Sequence, residues 1–186
     1  GLILAAKTTD AYNQLVKDMQ ARSIQREYRA ICKGEMVAGG MIEVNLARDP
    51  YNRLKFSVSE KGRESRTHYR VLHRLRGHTF VAVRLDTGRT HQIRVHMTHI
   101  KYPILGDQLY GGRLAMPKKL DEETREMLID FKRQALHAFR LSFMHPITHE
   151  MISFTSPIPN DMEAMIIALS DQRLDSKTIN EFNYPE

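Results

Sequence analysis

Residues able to do chemistry are concentrated at positions 87–97, where the sequence reads TGRTHQIRVHM. Gly88 stands where a strand pattern changes to a helical one, and glycine lets the chain turn sharply there. The free backbone N–H groups of the helix's first turn, with Arg89 beside them, can form an anion site. Gln92 and Arg94 can hold a carboxylate or a phosphate. Taken alone, the residues favour a tight turn followed by a solvated basic helix face, and the anion site is the alternative.

Three histidines in and just after this stretch, His91, His96 and His99, raise the question of a metal site. The spacing puts His91 about half a turn away from the helix face of His96. Neither a cysteine nor an obvious nearby carboxylate completes a set of ligands. We therefore expect no metal, and a metal-dependent enzyme remains only a lesser alternative.

Asp86 ends a predicted strand immediately before this stretch. A carboxylate in that position can act as a nucleophile. It can equally be an ordinary strand-end partner for Arg89. We favour the second interpretation.

The composition indicates a folded, basic protein. The 186 residues include 28 Lys plus Arg against 22 Asp plus Glu, a net charge of +6, and the sequence pI is about 9.5. This charge favours an anionic partner, most commonly a nucleic acid. A hydrophobic fraction of 41% argues against disorder. No apolar run approaches a membrane span, and Cys32, as the single cysteine, fits a reducing, cytoplasmic setting.

The spacing of apolar residues predicts the elements that position these residues. It indicates an α+β fold, with a mainly antiparallel mixed sheet flanked by helices. Strands are predicted at 2–7, 26–33, 41–46, 54–58, 67–75, 79–85, 135–143 and 151–156. Helices are predicted from Thr9 or Asp10 to Ser23, from Thr90 to about 100, over 117–132, and over 160–170. Residues 1–170 are interpreted as one domain and residues 171–186 as a polar C-terminal tail.

The chain opens on an apolar run, Leu2 to Ala6, with no cap or turn before it. Such a run is typical of an interior strand. An interior strand that begins a chain suggests that a preceding segment is missing, so we expect an N-terminally truncated domain.

Four segments, in this order and spacing, resemble the RluA/RluD-type family of RNA pseudouridine synthases. The stretch 85–96 is similar to the third conserved motif of that family, and 26–30, REYRA, resembles its tyrosine motif. The segments 103–112 and 133–138, the latter running on to His145 and Pro146, are similar to the regions that follow the third motif. One such match can arise by chance, whereas four in register are specific.

The resemblance implies the pseudouridine synthase catalytic-domain fold and a site built on Tyr28 and Arg94. In the family, the tyrosine stacks on the target base, and the arginine pairs with a nucleophilic aspartate carried by a His-Arg-Leu-Asp motif. That motif is expected upstream of Gly1, so we expect this chain alone to be inactive. Leu105 would line the base pocket. Further contacts with the RNA would come from Arg26, Arg89, His91 and Gln92.

The sequence therefore predicts an isomerase that acts on uridines of large-subunit ribosomal RNA without a cofactor or a membrane partner, as a monomer when full length. The alternative is a non-catalytic RNA-binding protein on the same scaffold.

Overall fold

A computed structural model describes residues 1–113 and 116–181. Its elements are α1 (Thr9–Gln20), β1 (Gln25–Lys33), β2 (Gly40–Arg48), β3 (Phe56–Val58), β4 (Arg63–Leu75), β5 (His78–Leu85), α2 (Gln92–His99), α3 (Glu122–Asp130), β6 (Leu136–Met144), β7 (Met151–Thr155), α4 (Asn160–Leu169) and α5 (Ser176–Glu181). The seven strands form one sheet in the order β3-β2-β4-β5-β1-β6-β7, and neighbouring strands are antiparallel. The predicted α+β class is confirmed. Within the described ranges, no helix combines the length and apolar character needed to cross a bilayer.

The centre of the sheet is its most buried part. The residues from Phe80 to Val83 on β5 are fully buried, because an uninterrupted apolar run is covered on both faces of a sheet. β1 lies between β5 and β6 and is hydrogen-bonded to both. The apolar side of α4, with Met162, Met165 and Ile166, packs into the same core. The strand that carries Tyr28 is therefore held on both edges.

A second, smaller core lies under α1 and consists of Leu15, Ile24, Leu141 and Phe143. Only part of the predicted apolar stripe of α1 is buried, since Tyr12 and Met19 are 60% and 44% exposed. Thr8, and not Thr9 or Asp10, caps this helix: its hydroxyl accepts from the N–H of Ala11 at 3.2 Å.

Two further predictions about the elements are wrong. Residues 2–7 do not form a strand; within them the backbone N–H of Leu2 donates to the carbonyl of Ala138 at 3.0 Å. The helix predicted over 117–132 is confined to Glu122–Asp130, because Asp121 caps it through the N–H of Thr124 at 2.8 Å. Of the expected tail, residues 171–181 are described, and Leu174 and Ile179 are buried in the main core. Residues 182–186 lie outside the described part of the chain.

A buried histidine joins α2 to the sheet. His96 is fully buried, and its Nε2 lies 2.7 Å from the hydroxyl of Ser65 on β4. That hydroxyl donates to the carbonyl of Val44 at 2.5 Å, so it accepts from a protonated Nε2. Nδ1 has no hydrogen-bond partner among the described residues. Burial and the nearby charge of His99 lower the pKa of His96 to about 4.

Acid is therefore expected to destabilise the protein through His96. The pKa of this histidine is near 6.5 in the unfolded chain and about 4 in the folded protein. Below pH 6.5 it is therefore protonated in the unfolded state while it stays neutral in the folded state. As the pH falls from 6.5 to 4, the free energy of unfolding decreases by up to about 3 kcal/mol. Urea denaturation as a function of pH measures the loss. In His96→Gln, whose amide can still donate to Ser65 but does not titrate, the pH dependence should shrink by this amount.

The matched control is His149→Asn at an exposed histidine. An equal change in the pH dependence of both variants would contradict the assignment to His96.

Candidate active site

The turn that leads into α2 is held by the side chain of Gln92, which is 2% exposed. Its Oε1 accepts from the hydroxyl of Thr87 at 2.8 Å and from the backbone N–H of Arg89 at 2.9 Å. Its Nε2 donates to the carbonyl of Arg66 and the hydroxyl of Thr67, both at 2.9 Å. In this structure the amide of Gln92 is thus engaged within the chain, where it ties the turn to β4.

His91, and not the predicted Thr90, occupies the N-cap position of α2. Its φ is 58°, and it makes no side-chain capping hydrogen bond. Such a left-handed residue is uncommon outside glycine and accommodates the sharp turn. The Nδ1 atom lies 2.9 Å from the hydroxyl of Tyr110, and the ring meets those of Phe56 and Tyr110 edge-on. Burial lowers the pKa of His91, and the charge of Arg94 lowers it further.

Arg94 is held by a carboxylate from the loop after α2. Its Nε and Nη2 donate to Oδ2 and Oδ1 of Asp107 at 2.7 and 2.8 Å. The Asp107 side chain is completely buried, and that of Arg94 is 13% exposed. Two parallel, charge-assisted hydrogen bonds fix the orientation of the guanidinium plane. Nη1 of Arg94, on the other edge, has no hydrogen-bond partner among the described residues.

Further contacts fix both members of this pair. Asp107 Oδ1 also accepts from the backbone N–H groups of Leu109 and Tyr110, both at 3.0 Å. Burial by itself raises the pKa of Asp107, but Arg94 and the two N–H groups outweigh it, and the pKa is lowered. The guanidinium of Arg94 lies 4.7 Å from the centre of the Tyr110 ring, and the Tyr110 hydroxyl accepts from the N–H of Phe56 at 2.8 Å. Arg94 is thereby preorganised.

Leu105 lies in the same loop and is 1% exposed. Its backbone bridges the sheet: its N–H donates to Ile31 of β1, and its carbonyl accepts from Ala135, both at 2.9 Å. It lines a cleft of about 210 Å³ together with Asp107 and Lys33. Lys33 donates to the carbonyl of Gly111, which closes the far end of the loop against β1.

Tyr28 and Arg26 lie on one face of β1. The residues that alternate with them, Glu27 and Arg29, form an ion pair buried on the opposite face, where Arg29 also lies 4.0 Å from the centre of the Phe139 ring. Burial raises the pKa of Tyr28, and the nearby positive charge of Arg26 opposes part of that rise. The two side chains are therefore close enough to influence each other. No hydrogen bond joins Tyr28 to Arg94 among the described residues.

The charged residues around the turn are paired differently from the prediction. Asp86 does not pair with Arg89; its Oδ2 lies 3.0 Å from Nε2 of His68 and 3.8 Å from Nη1 of Arg66. The prediction for this pair is wrong because Arg89 points towards β4 and donates to the carbonyl of Glu64 at 3.1 Å.

His91 and His96 face different parts of the structure. His96 is buried against Ser65, whereas His91 faces Tyr110. In residues 1–113 and 116–181, no group of three or more His, Cys, Asp and Glu side chains is arranged to hold a metal.

Asp107 and Tyr110 are the site residues that the sequence did not single out. Both lie in the segment 103–112, which contributes to the family resemblance. The only sequence signal for Asp107 is an acid directly after a glycine in a turn-rich segment, and nothing in the spacing connects Asp107 to Arg94.

Comparison with known proteins identifies the family. The family model described as RNA pseudouridylate synthase matches residues 1–99, which is more than half of the chain. This chain belongs to that family. The resemblance stated from the sequence motifs is confirmed.

Among curated pseudouridine synthases, "Ribosomal large subunit pseudouridine synthase D" of Vibrio cholerae serotype O1 is 50% identical over 171 residues, which is 92% of this chain and 53% of the relative. The protein of the same name from Haemophilus influenzae is 45% identical over 184 residues, 99% of this chain and 56% of the relative. The chain spans about half the length of the curated relatives that it matches.

A solved structure shows the same fold. "Human RNA Pseudouridylate Synthase Domain Containing 1" superposes with a TM-score of 0.67 at 23% identity, covering 86% of this chain and 66% of that one. The pseudouridine synthase fold expected from the motifs is confirmed.

The pairing of Arg94 with Asp107 makes a testable contribution to stability. We expect Asp107→Asn to lower the free energy of unfolding by about 3 kcal/mol, because it leaves a largely buried guanidinium without its counter-charge. Asp171→Asn is the matched control, since Asp171 forms an exposed ion pair with Arg76 and should cost less than about 1 kcal/mol. Urea denaturation of both variants measures the difference. Equal losses would show that the Arg94 pair is no more than a surface ion pair.

Proposed function

We propose that the protein to which this chain belongs converts uridines of large-subunit ribosomal RNA into pseudouridine. Family membership and the names of the relatives support the reaction and the substrate class. The geometric observation that carries the proposal is Arg94, which is held on one edge by Asp107 and whose Nη1 has no hydrogen-bond partner in the described part of the chain. A fixed cation with a free edge is suited to binding a second carboxylate.

The chemistry explains why such a cation is needed. The glycosidic bond between N1 and the ribose must break, the uracil must rotate, and a new bond must form between the ribose and C5. C5 then loses a proton and N1 gains one, so that the reaction is an isomerisation with no change in composition and needs no redox step. An aspartate nucleophile has to be ionised and aimed, and a guanidinium nearby favours its charged form.

Tyr28 and Leu105 are proposed to hold the target base. A base that leaves its helix loses its stacking, and an aromatic ring can replace that stacking. Tyr28 offers such a ring on a strand hydrogen-bonded at both edges. Leu105 lines the cleft beside Asp107, where an apolar side chain can pack against a flat base.

The remaining predicted residues act in two ways in this proposal. Arg26 at the start of β1 and Arg89 in the turn before α2 line one cleft, and in this proposal both contact the RNA backbone. His91 fixes Tyr110 beside Arg94, and Gln92 holds the turn in place. Both therefore support the site through their neighbours. A cytoplasmic location and a monomeric full-length protein stay predictions.

The nucleophile is proposed to come from a His-Arg-Leu-Asp segment before Gly1. The purified 186-residue chain should then form no pseudouridine on a large-subunit rRNA transcript, and a chain extended by the preceding segment should form it. Chromatography of the digested nucleosides measures the product. The control is the extended chain with the aspartate of that motif replaced by asparagine, which should be inactive.

Product formed by the 186-residue chain would contradict the assignment of the nucleophile. An extended chain that binds rRNA without forming product would instead identify the non-catalytic RNA-binding alternative.

Replacing Arg94 tests its role directly. In the extended chain, Arg94→Lys keeps the positive charge but cannot contact Asp107 and a second carboxylate with two planar edges. We expect turnover to fall by roughly a hundredfold, while rRNA affinity changes much less. Single-turnover kinetics and filter binding separate the two quantities. A parallel loss of affinity and turnover would place Arg94 in RNA binding and not beside the nucleophile.

A further inference from the structure

A cleft of about 390 Å³ opens between the end of α1, the start of β1 and the turn before α2. We name it the arginine cleft, because Arg22, Arg26 and Arg89 contribute to its lining together with Gly88. Arginine guanidinium groups bind phosphates through paired N–H donors. Three of them around one cleft suit an anionic group.

Arg26 is the central observation. Its side chain is half-buried, and its Nε atom is buried without a hydrogen-bond partner among the described residues. No carboxylate of these residues forms an ion pair with it. In the same cleft, Arg22 contacts the carboxylate of Glu64, and Arg89 donates to the backbone carbonyl of Glu64. A partly desolvated cation is normally paired, because removing a charge from water without a partner is costly. An anion in the cleft would supply the missing partner.

The backbone at Gly88 is shaped around Arg26. A methyl group at position 88 would overlap Nη1 of Arg26, so the guanidinium lies directly over the glycine. The absence of a side chain there leaves the donors of Arg26 open towards the cleft. Gly88 therefore keeps space for this guanidinium.

The acidic residues nearby do not neutralise the cleft. Asp86 lines it but is already shared between His68 and Arg66. The carboxylate of Glu64 lies 3.3 Å from Arg22 and 3.7 Å from Arg66. Both acids are thus engaged by side chains other than Arg26, and no ion pair joins either of them to Arg26 among the described residues.

We propose that the arginine cleft binds a backbone phosphate of the RNA, next to the nucleotide whose base meets Tyr28. This rests on the proposed function and adds a defined phosphate subsite to it. Arg26 and Tyr28 are two residues apart on one face of β1, a separation of roughly 7 Å. One nucleotide spans a distance of that order between its base and its phosphate. The strand then sets the spacing between base recognition and phosphate recognition.

Binding of rRNA by the 186-residue chain tests the subsite. Arg26→Gln should weaken binding of a large-subunit rRNA transcript roughly tenfold and lower the slope of log affinity against log salt by about one. The matched control is Arg173→Gln, which removes the same charge from a side chain that is 77% exposed and lies outside the cleft. It should change both quantities much less.

Gly88→Ala provides a second variant that changes no charge. The added methyl group meets the end of a flexible side chain, so the fold should survive while the guanidinium of Arg26 is displaced. We expect rRNA affinity to fall severalfold with the thermal unfolding temperature nearly unchanged. In NMR spectra of the unmodified chain, inorganic phosphate should shift the Nε–H signal of Arg26 and the amide signal of Gly88.

The outcomes separate this assignment from the proposed function. If the chain binds rRNA and the Arg26 and Arg173 variants behave alike, the phosphate subsite is wrong and the proposed function stands. If phosphate shifts neither the Arg26 nor the Gly88 signal, the subsite is likewise overturned. If the 186-residue chain does not bind rRNA, the Arg26 and Arg173 variants are compared in the extended chain. Equal affinities there overturn the subsite alone, and failure of the extended chain to bind rRNA contradicts the proposed substrate.

Discussion

The paired hydrogen bonds between Arg94 and Asp107 connect helix α2 to the loop that follows it. That loop is anchored to β1 at both ends, through Leu105 and through Lys33. The helix in turn is anchored to β4 and β2 through His96 and Ser65. Both segments that hold the guanidinium of Arg94, helix α2 and the loop after it, are therefore hydrogen-bonded to the sheet. A cation placed in this way needs little reorganisation when a second anion arrives, which is the basis of electrostatic preorganisation.

The two arginines most important to the proposals have opposite surroundings. One edge of Arg94 is paired with the buried carboxylate of Asp107, whose pKa is lowered, and the ring of Tyr110 lies beside it. Arg26 is half-buried, no acid of the described residues forms an ion pair with it, and burial lowers its pKa. The first arrangement suits a positioning role, because the charge is balanced before any ligand binds. The second suits ligand binding, because the balance is completed only by the ligand.

The seven strands of the sheet and α4 could be predicted from the sequence because apolar spacing indicates burial, as in the run 80–83. The apolar run at the start of the chain was misleading, since it forms no strand. The start of α2 could not be predicted, since the left-handed φ of His91 is set by the turn and not by capping propensity. Gln92 was predicted to bind a ligand because amide side chains can bind anions. In the structure its side chain is buried, and its amide is hydrogen-bonded within the chain. Asp107 was missed because its partner lies across a turn and no local pattern joins the two. Tyr28 and Arg94 were assigned through the motifs, and their roles stay predictions.

The position of Tyr28 has a consequence for how a substrate could be selected. It pairs with Val83 on one side and with Ala138 on the other, so its backbone cannot shift without breaking two ladders. In the proposed reaction the strand that carries the aromatic ring stays in place, and the target nucleotide flips out of its stack to reach it. The free energy of this distortion is spent in the RNA, and it differs from one RNA site to another. Flipping out a uridine from a loop or a weakly stacked step needs less free energy than flipping one out of a continuous helix. In the proposed reaction, sites would then be selected by how easily the RNA deforms, without contacts to the neighbouring bases.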